Sequence, residues 1–144
     1  MKSKKHLTKI LCVVPVVLLI IFLVLMFTVT SKAETIDDYA YVISNGEAQI
    51  TQYNGSETDV VVPAEIDGYP VTIIGDFAFR DCSSLTNITL PESVTIIESN
   101  AFWNCSNLIS IILPDSISSI GDNAFFHCES LTSITFPDSL VKIG

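Results

Sequence analysis

Hydrophobic and polar positions recur along the second half of the chain with a period of 23 residues. The pattern Ala-Phe-x-x-Cys-x-x-Leu occurs three times, at 78–85, 101–108 and 124–131. Each copy runs into Leu-x-x-Ile-x-Leu-Pro, with Phe in place of the second Leu in the last copy. Because so many positions match, residues 71–144 are predicted to be an array of tandem repeats that is incomplete at its C-terminal side.

Each repeat unit predicts four short segments. Leu-x-x-Ile-x-Leu predicts a strand, because its Ile and second Leu are two residues apart and share one face. Proline ends the strand, since it lacks a backbone donor. Residues 94–97 predict a second extended segment. Asp76, Ser99 and Asp122 precede Ala-Phe and suit the cap of a short helical turn, where a side-chain oxygen accepts a free backbone N–H.

A unit of this length cannot bury its own apolar face, whereas stacked copies share a continuous core. We therefore predict a mainly β fold with short helical turns, arranged as a leucine-rich-repeat solenoid of 23-residue coils. The period lies within the range of roughly 20–29 residues that is typical of such repeats.

The full motif Leu-x-x-Ile-x-Leu-Pro-x-Ser-(Val/Ile)-x-x-Ile-x-x-x-Ala-Phe-x-x-Cys resembles the BspA-type leucine-rich repeat over 71–144. Weaker, cap-like similarity begins near residue 39. Ordinary leucine-rich repeats carry Asn or Cys after the strand, so Pro-x-Ser is what favours this subtype. The resemblance implies an exported surface protein of a bacterium or protist, with a role in adhesion and protein–protein contact.

Residues 34–70 depart from the repeat pattern and predict an N-terminal β-hairpin cap. Asn45-Gly46 stands between two strand-like runs and indicates a tight hairpin, since both residues tolerate positive φ. Residues 66–70 predict an insertion. At the other end the pattern stops partway through a unit, and its apolar positions predict an open end covered by further repeats or by self-association.

The first 33 residues predict export. Residues 10–29 form an uncharged apolar run after four lysines, and Ser31 and Ala33 form a small-x-small cleavage site. This pattern predicts a signal peptide cleaved after Ala33. The run is also long enough for an uncleaved single-pass anchor. Both interpretations place the rest of the chain outside the cell. The predicted location is therefore extracellular or at the cell surface, secreted or anchored.

Beyond residue 33 the chain is strongly acidic. Its two basic residues, Arg80 and Lys142, stand against sixteen acidic ones, a net charge of −14. Such a surface repels nucleic acid and anionic membranes. We therefore expect no nucleic-acid partner, and membrane contact only through 10–29. The same charge attracts a basic partner.

No arrangement of residues predicts catalysis. The two histidines, His6 and His127, are far apart in sequence, and no Gly-rich phosphate loop or Gly-x-Ser-x-Gly motif occurs. We predict a protein that is not an enzyme and that needs no cofactor. A column of carboxylates follows the prolines and is expected to be solvated rather than to bind calcium. It consists of Glu92, Asp115 and Asp138.

Three cysteines occupy one column of the repeat, at Cys82, Cys105 and Cys128. Their Cβ vectors would be parallel in stacked coils, which is poor geometry for a disulfide. We expect them to be small, buried, apolar side chains. Zinc binding is not favoured, because no Cys-x-x-Cys or paired histidine accompanies them.

The predicted function is binding of an unidentified protein, on a host or another cell surface. A spacer within a larger surface protein and a carbohydrate-binding module are the alternatives. Solenoids commonly bind through the face of their strands. The strand-face residues predicted here are Asn87, Thr89, Ser110, Ile112, Ser133 and Thr135.

A second candidate site is the column directly after the buried Phe of each unit. It contains Arg80, Trp103 and Phe126, residue types enriched in interface hot spots. The competing interpretation is that Trp103 and Phe126 pack against the neighbouring coil.

Overall fold

The structure is a computed structural model that describes residues 36–144. The predicted signal peptide or anchor lies outside these residues. Within them, no helix is long and apolar enough to span a membrane. A 3₁₀ turn at Ile36–Asp38 precedes ten strands. The strands are β1 Tyr39–Ser44, β2 Glu47–Tyr53, β3 Asp59–Val61, β4 Glu65–Ile66, β5 Tyr69–Ile74, β6 Asn87–Thr89, β7 Ile96–Ile97, β8 Ser110–Ile112, β9 Ser119–Ile120 and β10 Lys142–Ile143.

Two sheets run along the described part of the chain. The longer sheet has the order β1-β2-β5-β7-β9-β10, with β4 paired to β5, and the shorter sheet has the order β3-β6-β8. Pairs between coils are parallel and in register with the 23-residue period, so that Ile88 lies opposite Ile111 and Ile97 opposite Ile120. Buried side chains of both sheets meet in one core. The predicted leucine-rich-repeat solenoid is confirmed.

A stack of aromatic rings runs through this core. Successive ring centroids are separated by 5.2 Å for Tyr39–Tyr53 and Tyr53–Phe79, 5.1 Å for Phe79–Phe102 and 5.4 Å for Phe102–Phe125. Each repeat contributes one ring, the Phe of its Ala-Phe pair. Phe79 and Phe102 are fully buried. The stack explains why this Phe recurs in every unit, because each ring is the packing surface for the next.

The Pro-x-Ser motif has a hydrogen-bonding role between coils. The Ser116 hydroxyl donates to the Val94 carbonyl at 2.5 Å, and the Ser139 hydroxyl donates to the Ile117 carbonyl at 2.7 Å. Each acceptor lies one coil earlier. Because a buried carbonyl without a partner is costly, this bond accounts for serine at that position.

The recurring cysteine acts in the same way. Cys105 Sγ donates to the Phe79 carbonyl at 2.9 Å, and Cys128 Sγ donates to the Phe102 carbonyl at 3.2 Å. Cys105 is buried, whereas Cys82 and Cys128 are half-buried, and all three are free thiols. Cys105 is therefore the small buried side chain that was predicted, whereas Cys82 and Cys128 are less buried than predicted. The hydrogen bonds of Cys105 and Cys128 to the preceding coil were not predicted.

The predicted helical turns are tight turns instead. Phe77, Asn100 and Asn123 each have positive φ, at 57°, 56° and 56°. A right-handed helix excludes such a value, so Asp76 and its equivalents cap no helix. The chain instead closes successive four-residue turns, such as the one formed by the hydrogen bond from Arg80 N–H to the Phe77 carbonyl at 3.0 Å.

The strand predicted at 131–136 is also absent, so Ser133 and Thr135 lie in an irregular segment. The shorter sheet ends at β8 within the described residues. A groove separates this segment from β8, so the two do not pair as β6 and β8 do.

The N-terminal hairpin forms as predicted. Asn45 and Gly46 adopt φ of 55° and 83°, and β2 continues the longer sheet by pairing in parallel with β5. Residues 66–70 form a second tight hairpin between β4 and β5. Upstream of it, β3 pairs in register with β6, so the strand pairing of the repeats continues across the predicted cap boundary at residue 70.

Candidate interaction surface

Each repeat places an inward-facing Phe next to an outward-facing residue. Phe102 is fully buried, while the residue after it, Trp103, is half-buried. Phe126 is 43% exposed, and Arg80 is exposed. The tight turn that starts at Ala-Phe directs one ring into the core and the following side chain toward solvent.

These outward side chains form a continuous cluster with two further residues. Ring centroids are 4.5 Å apart for Trp103–Phe126, 6.4 Å for Phe77–Trp103 and 4.1 Å for Phe126–His127. The Arg80 guanidinium carbon lies 5.2 Å from the centroid of the Phe77 ring. We name this cluster the aromatic patch; its members are Phe77, Arg80, Trp103, Phe126 and His127.

The interpretation that the column packs between coils is supported, and its role in binding stays a prediction. Trp103 does pack against the ring of the next coil, Phe126, yet neither ring is fully covered. Arg80 contacts Phe77 rather than Trp103 directly. Phe77 and His127 were not predicted as site residues. For Phe77 the sequence did contain a signal, because its column otherwise holds only Asn100 and Asn123.

Phe77 has an unfavourable backbone conformation. Its φ of 57° lies in the left-handed region, which asparagine tolerates and bulky side chains avoid. Holding a residue in such a conformation costs of order 1–3 kcal/mol. The side chain is nevertheless 38% exposed, so core packing does not account for a phenylalanine at this position.

Carboxylates surround the aromatic patch. The Asp81 carboxylate accepts from Arg80 Nε at 3.0 Å and from Asn104 Nδ2 at 2.8 Å. Glu129 Oε1 lies 3.7 Å from His127 Nδ1, and Asp76, beside Phe77, accepts from Asn100 Nδ2 at 3.1 Å. All three carboxylates are exposed.

The strand-face residues form a separate surface on the shorter sheet. Asn87 and Ser110 are exposed and opposite each other, and half-buried Thr89 lies between Val61 and Ile112, which are 56% and 57% exposed. Exposed Ser133 and Thr135 lie beyond the last strand. A groove of about 310 Å³ separates them from β8; its lining includes Ser110, Ile112, Ser133 and Thr135.

The remaining reactive side chains do not form a site. Among residues 36–144 no group of three or more His, Cys, Asp or Glu side chains could hold a metal ion. The Glu92, Asp115 and Asp138 column is exposed. Contacts with the neighbouring cysteines, together with burial, raise the pKa of the Cys105 thiol. Interaction with the Cys105 thiol in turn lowers the pKa of the thiols on either side, Cys82 and Cys128.

Several solved structures are similar to this chain. A T. pallidum leucine-rich repeat protein (TpLRR) is 40% identical, with a TM-score of 0.71 over 72% of this chain and 50% of its own. A leucine-rich cell surface protein from Faecalibacterium prausnitzii is 35% identical, with a TM-score of 0.67 over 73% and 30%. A leucine-rich repeat protein from Bacteroides capillosus is 33% identical, with a TM-score of 0.69 over 73% and 82%.

This chain spans 50% of the length of the T. pallidum protein and 30% of the length of the F. prausnitzii protein. No curated protein matches significantly. The family model for the BspA type leucine-rich repeat region matches 53–144 in six copies, starting before the predicted first repeat at 71. The chain belongs to the BspA-type leucine-rich repeat family.

Proposed function

We propose that this is a non-enzymatic, exported repeat protein, secreted or membrane-anchored, which binds another protein through the aromatic patch. The family and the cell-surface relative from F. prausnitzii support a position outside the cell. The observation that carries the binding role is that half-buried Trp103 contacts both exposed Phe77 and exposed Phe126. Aromatic residues and arginine contribute most to interface hot spots.

Two physical arguments support binding at this surface. An exposed ring does not contribute the stabilisation that burial would give, which is about 25 cal/mol for each Å² of apolar surface removed from water. Phe77 adds an unfavourable backbone conformation, where asparagine stands in the two following coils. Residues that cost stability at exposed positions are typical of functional surfaces.

The test is an adhesion assay in which the full chain is coupled to beads. The attachment of these beads to cells or extracellular matrix from the protein's native environment is then measured. We expect Trp103→Ala and Phe126→Ala to reduce adhesion about tenfold, as loss of a hot spot does. Circular dichroism should show both variants folded. Val61→Ala and Ile112→Ala are matched controls, since they remove exposed apolar side chains from the shorter sheet.

The same assay separates the alternatives. Adhesion lost only in the Val61 and Ile112 variants would move the binding site to the strand face and refute the role of the patch. Adhesion unchanged in all four variants would favour a spacer role. Adhesion abolished by free oligosaccharide would favour a carbohydrate-binding module.

A further inference from the structure

The aromatic patch combines two features that together favour one kind of partner, exposed aromatic rings and surrounding carboxylates. We infer that it binds a protein segment rich in lysine or arginine, with a cationic side chain over the Trp103 and Phe126 rings. This inference rests on the proposed function, because it names the chemistry of the partner at that same surface.

The first argument is an arrangement that the chain already contains. Arg80 lies over the Phe77 ring at 5.2 Å and donates through Nε to Asp81 at 3.0 Å. A cation at this position is thus held by a ring on one side and a carboxylate on the other. Both contacts are attractive, and exposed cation–π pairs of this kind are measurably favourable.

The second argument comes from the next positions of the same column. Trp103 and Phe126 replace arginine there, so this column carries no arginine or lysine in these coils. Glu129 is exposed and close to His127, whose ring contacts Phe126. Tryptophan is the aromatic side chain that binds cations best. A cation from a partner over these rings would repeat the arrangement that Arg80 forms one coil earlier.

The third argument is the charge of the whole exported part. Arg80 and Lys142 stand against sixteen acidic residues. Such a field accelerates encounter with basic segments and repels acidic ones. A neutral glycan would gain stacking on the rings and hydrogen bonds from its hydroxyls to the carboxylates, but no charge–charge attraction. The charge therefore favours a cationic peptide over both alternatives.

Trp103 makes the test direct, because it is the single tryptophan of the chain. Its fluorescence in the full-length protein can be titrated with a lysine–glycine peptide, an arginine–glycine peptide, a glutamate–glycine peptide and a neutral chito-oligosaccharide. We expect a saturable change with the two cationic peptides only. The affinity should fall as salt is raised, since exposed charges are screened.

Two variants separate the patch from general attraction to an acidic protein. Phe126→Leu keeps an apolar side chain but removes the ring, and should weaken the cationic peptides about threefold. Glu129→Gln should weaken them about twofold. Glu92→Gln removes an exposed charge from the corner after the proline and should leave the affinity unchanged.

The outcomes are distinguishable. Equal binding of the acidic peptide or the oligosaccharide, or no effect of Phe126→Leu, would overturn the cationic partner. If patch variants reduced adhesion while the cationic peptides failed to bind, the proposed function would stand and this inference would fall. If the cationic peptides bound at Trp103 but adhesion did not depend on the patch, the proposed function would fall and the cation preference would stand.

Discussion

Two substitutions of Phe77 can measure the free energy that its left-handed backbone conformation costs. They should differ in their effect on the free energy of unfolding but not in their effect on binding. Phe77→Ala and Phe77→Asn both remove the ring. They differ in how the new residue tolerates the φ of 57°. Asparagine is favoured in the left-handed region and occupies the equivalent positions, Asn100 and Asn123, whereas alanine is not favoured there.

The expected free energies follow from exposure and conformation. The side chain is 38% exposed, so either substitution loses the partial burial of a phenylalanine, about 1–2 kcal/mol. The left-handed conformation costs an L-residue roughly 1–2 kcal/mol, and asparagine recovers most of it. Phe77→Ala should therefore lower the free energy of unfolding by about 1–2 kcal/mol. Phe77→Asn should be more stable than Phe77→Ala by about 1 kcal/mol.

Urea unfolding followed by circular dichroism measures this difference. With a slope of about 2 kcal/mol per molar, the two midpoints should differ by about 0.5 M. Both variants should bind the partner equally weakly, since both lack the ring. Phe126 is the matched control, because it is similarly exposed at 43% and its φ is not positive. Asparagine should have no advantage over alanine there.

Equal midpoints for Phe77→Ala and Phe77→Asn would show that the backbone at this position is not strained, and the argument from strain to function would fail. An asparagine advantage of the same size at Phe126 would have the same consequence, since it would then reflect the side chain rather than φ. Full binding by Phe77→Asn would exclude the Phe77 ring from the contact.

Three further predictions concern the packing of the coils. Phe102→Ala should cost about 3–5 kcal/mol in urea unfolding. Phe125→Ala should cost clearly less, because Phe125 is half-buried and has one ring neighbour in the stack. Ser116→Ala should cost about 1 kcal/mol by leaving a carbonyl of the preceding coil unpaired. Iodoacetamide should alkylate Cys82 at a lower pH than an ordinary thiol, because its pKa is lowered, whereas Cys105 should react only after unfolding.

Each of these has an outcome that contradicts it. Equal losses for the two phenylalanine variants would argue against additive stacking of coils. A neutral Ser116→Ala would mean that water replaces the hydroxyl; Ser116→Thr, which keeps the donor, is the control. Rapid alkylation of folded Cys105 at neutral pH would contradict both its burial and its raised pKa.

The register of the coils could be predicted from the sequence because identical columns must stack on one another. Ile88, Ile97 and Phe102 lie in buried columns, and each packs in the structure where the 23-residue period places it. The prediction of a helical turn after Asp76 was wrong because of the backbone conformation at the next residue. Asp76 was interpreted as a helix cap, but Asn100 and Asn123 one position later indicate a left-handed residue, which ends a helix rather than starting one.

The candidate site was only partly predictable, because exposed columns are not constrained by packing. The aromatic character of Trp103 and Phe126 was visible in the sequence, but whether their rings face solvent or a neighbouring coil depends on side-chain geometry. The rings do both. Phe77 was missed because its neighbour Phe79 carries the core signal of that coil.

In a repeat protein, residues at equivalent positions of successive coils can nevertheless be compared with one another within a single chain. Columns that stay constant, such as the stacked Phe or the bridging Ser, are explained by contacts between coils. A column that changes where the backbone stays the same requires another explanation. The left-handed turn is identical in Phe77 and Asn100, yet only Phe77 carries the residue that strains it. Since the backbone conformation by itself favours asparagine there, we propose that the phenylalanine serves a requirement outside the fold, in keeping with its contact with Trp103 on the aromatic patch.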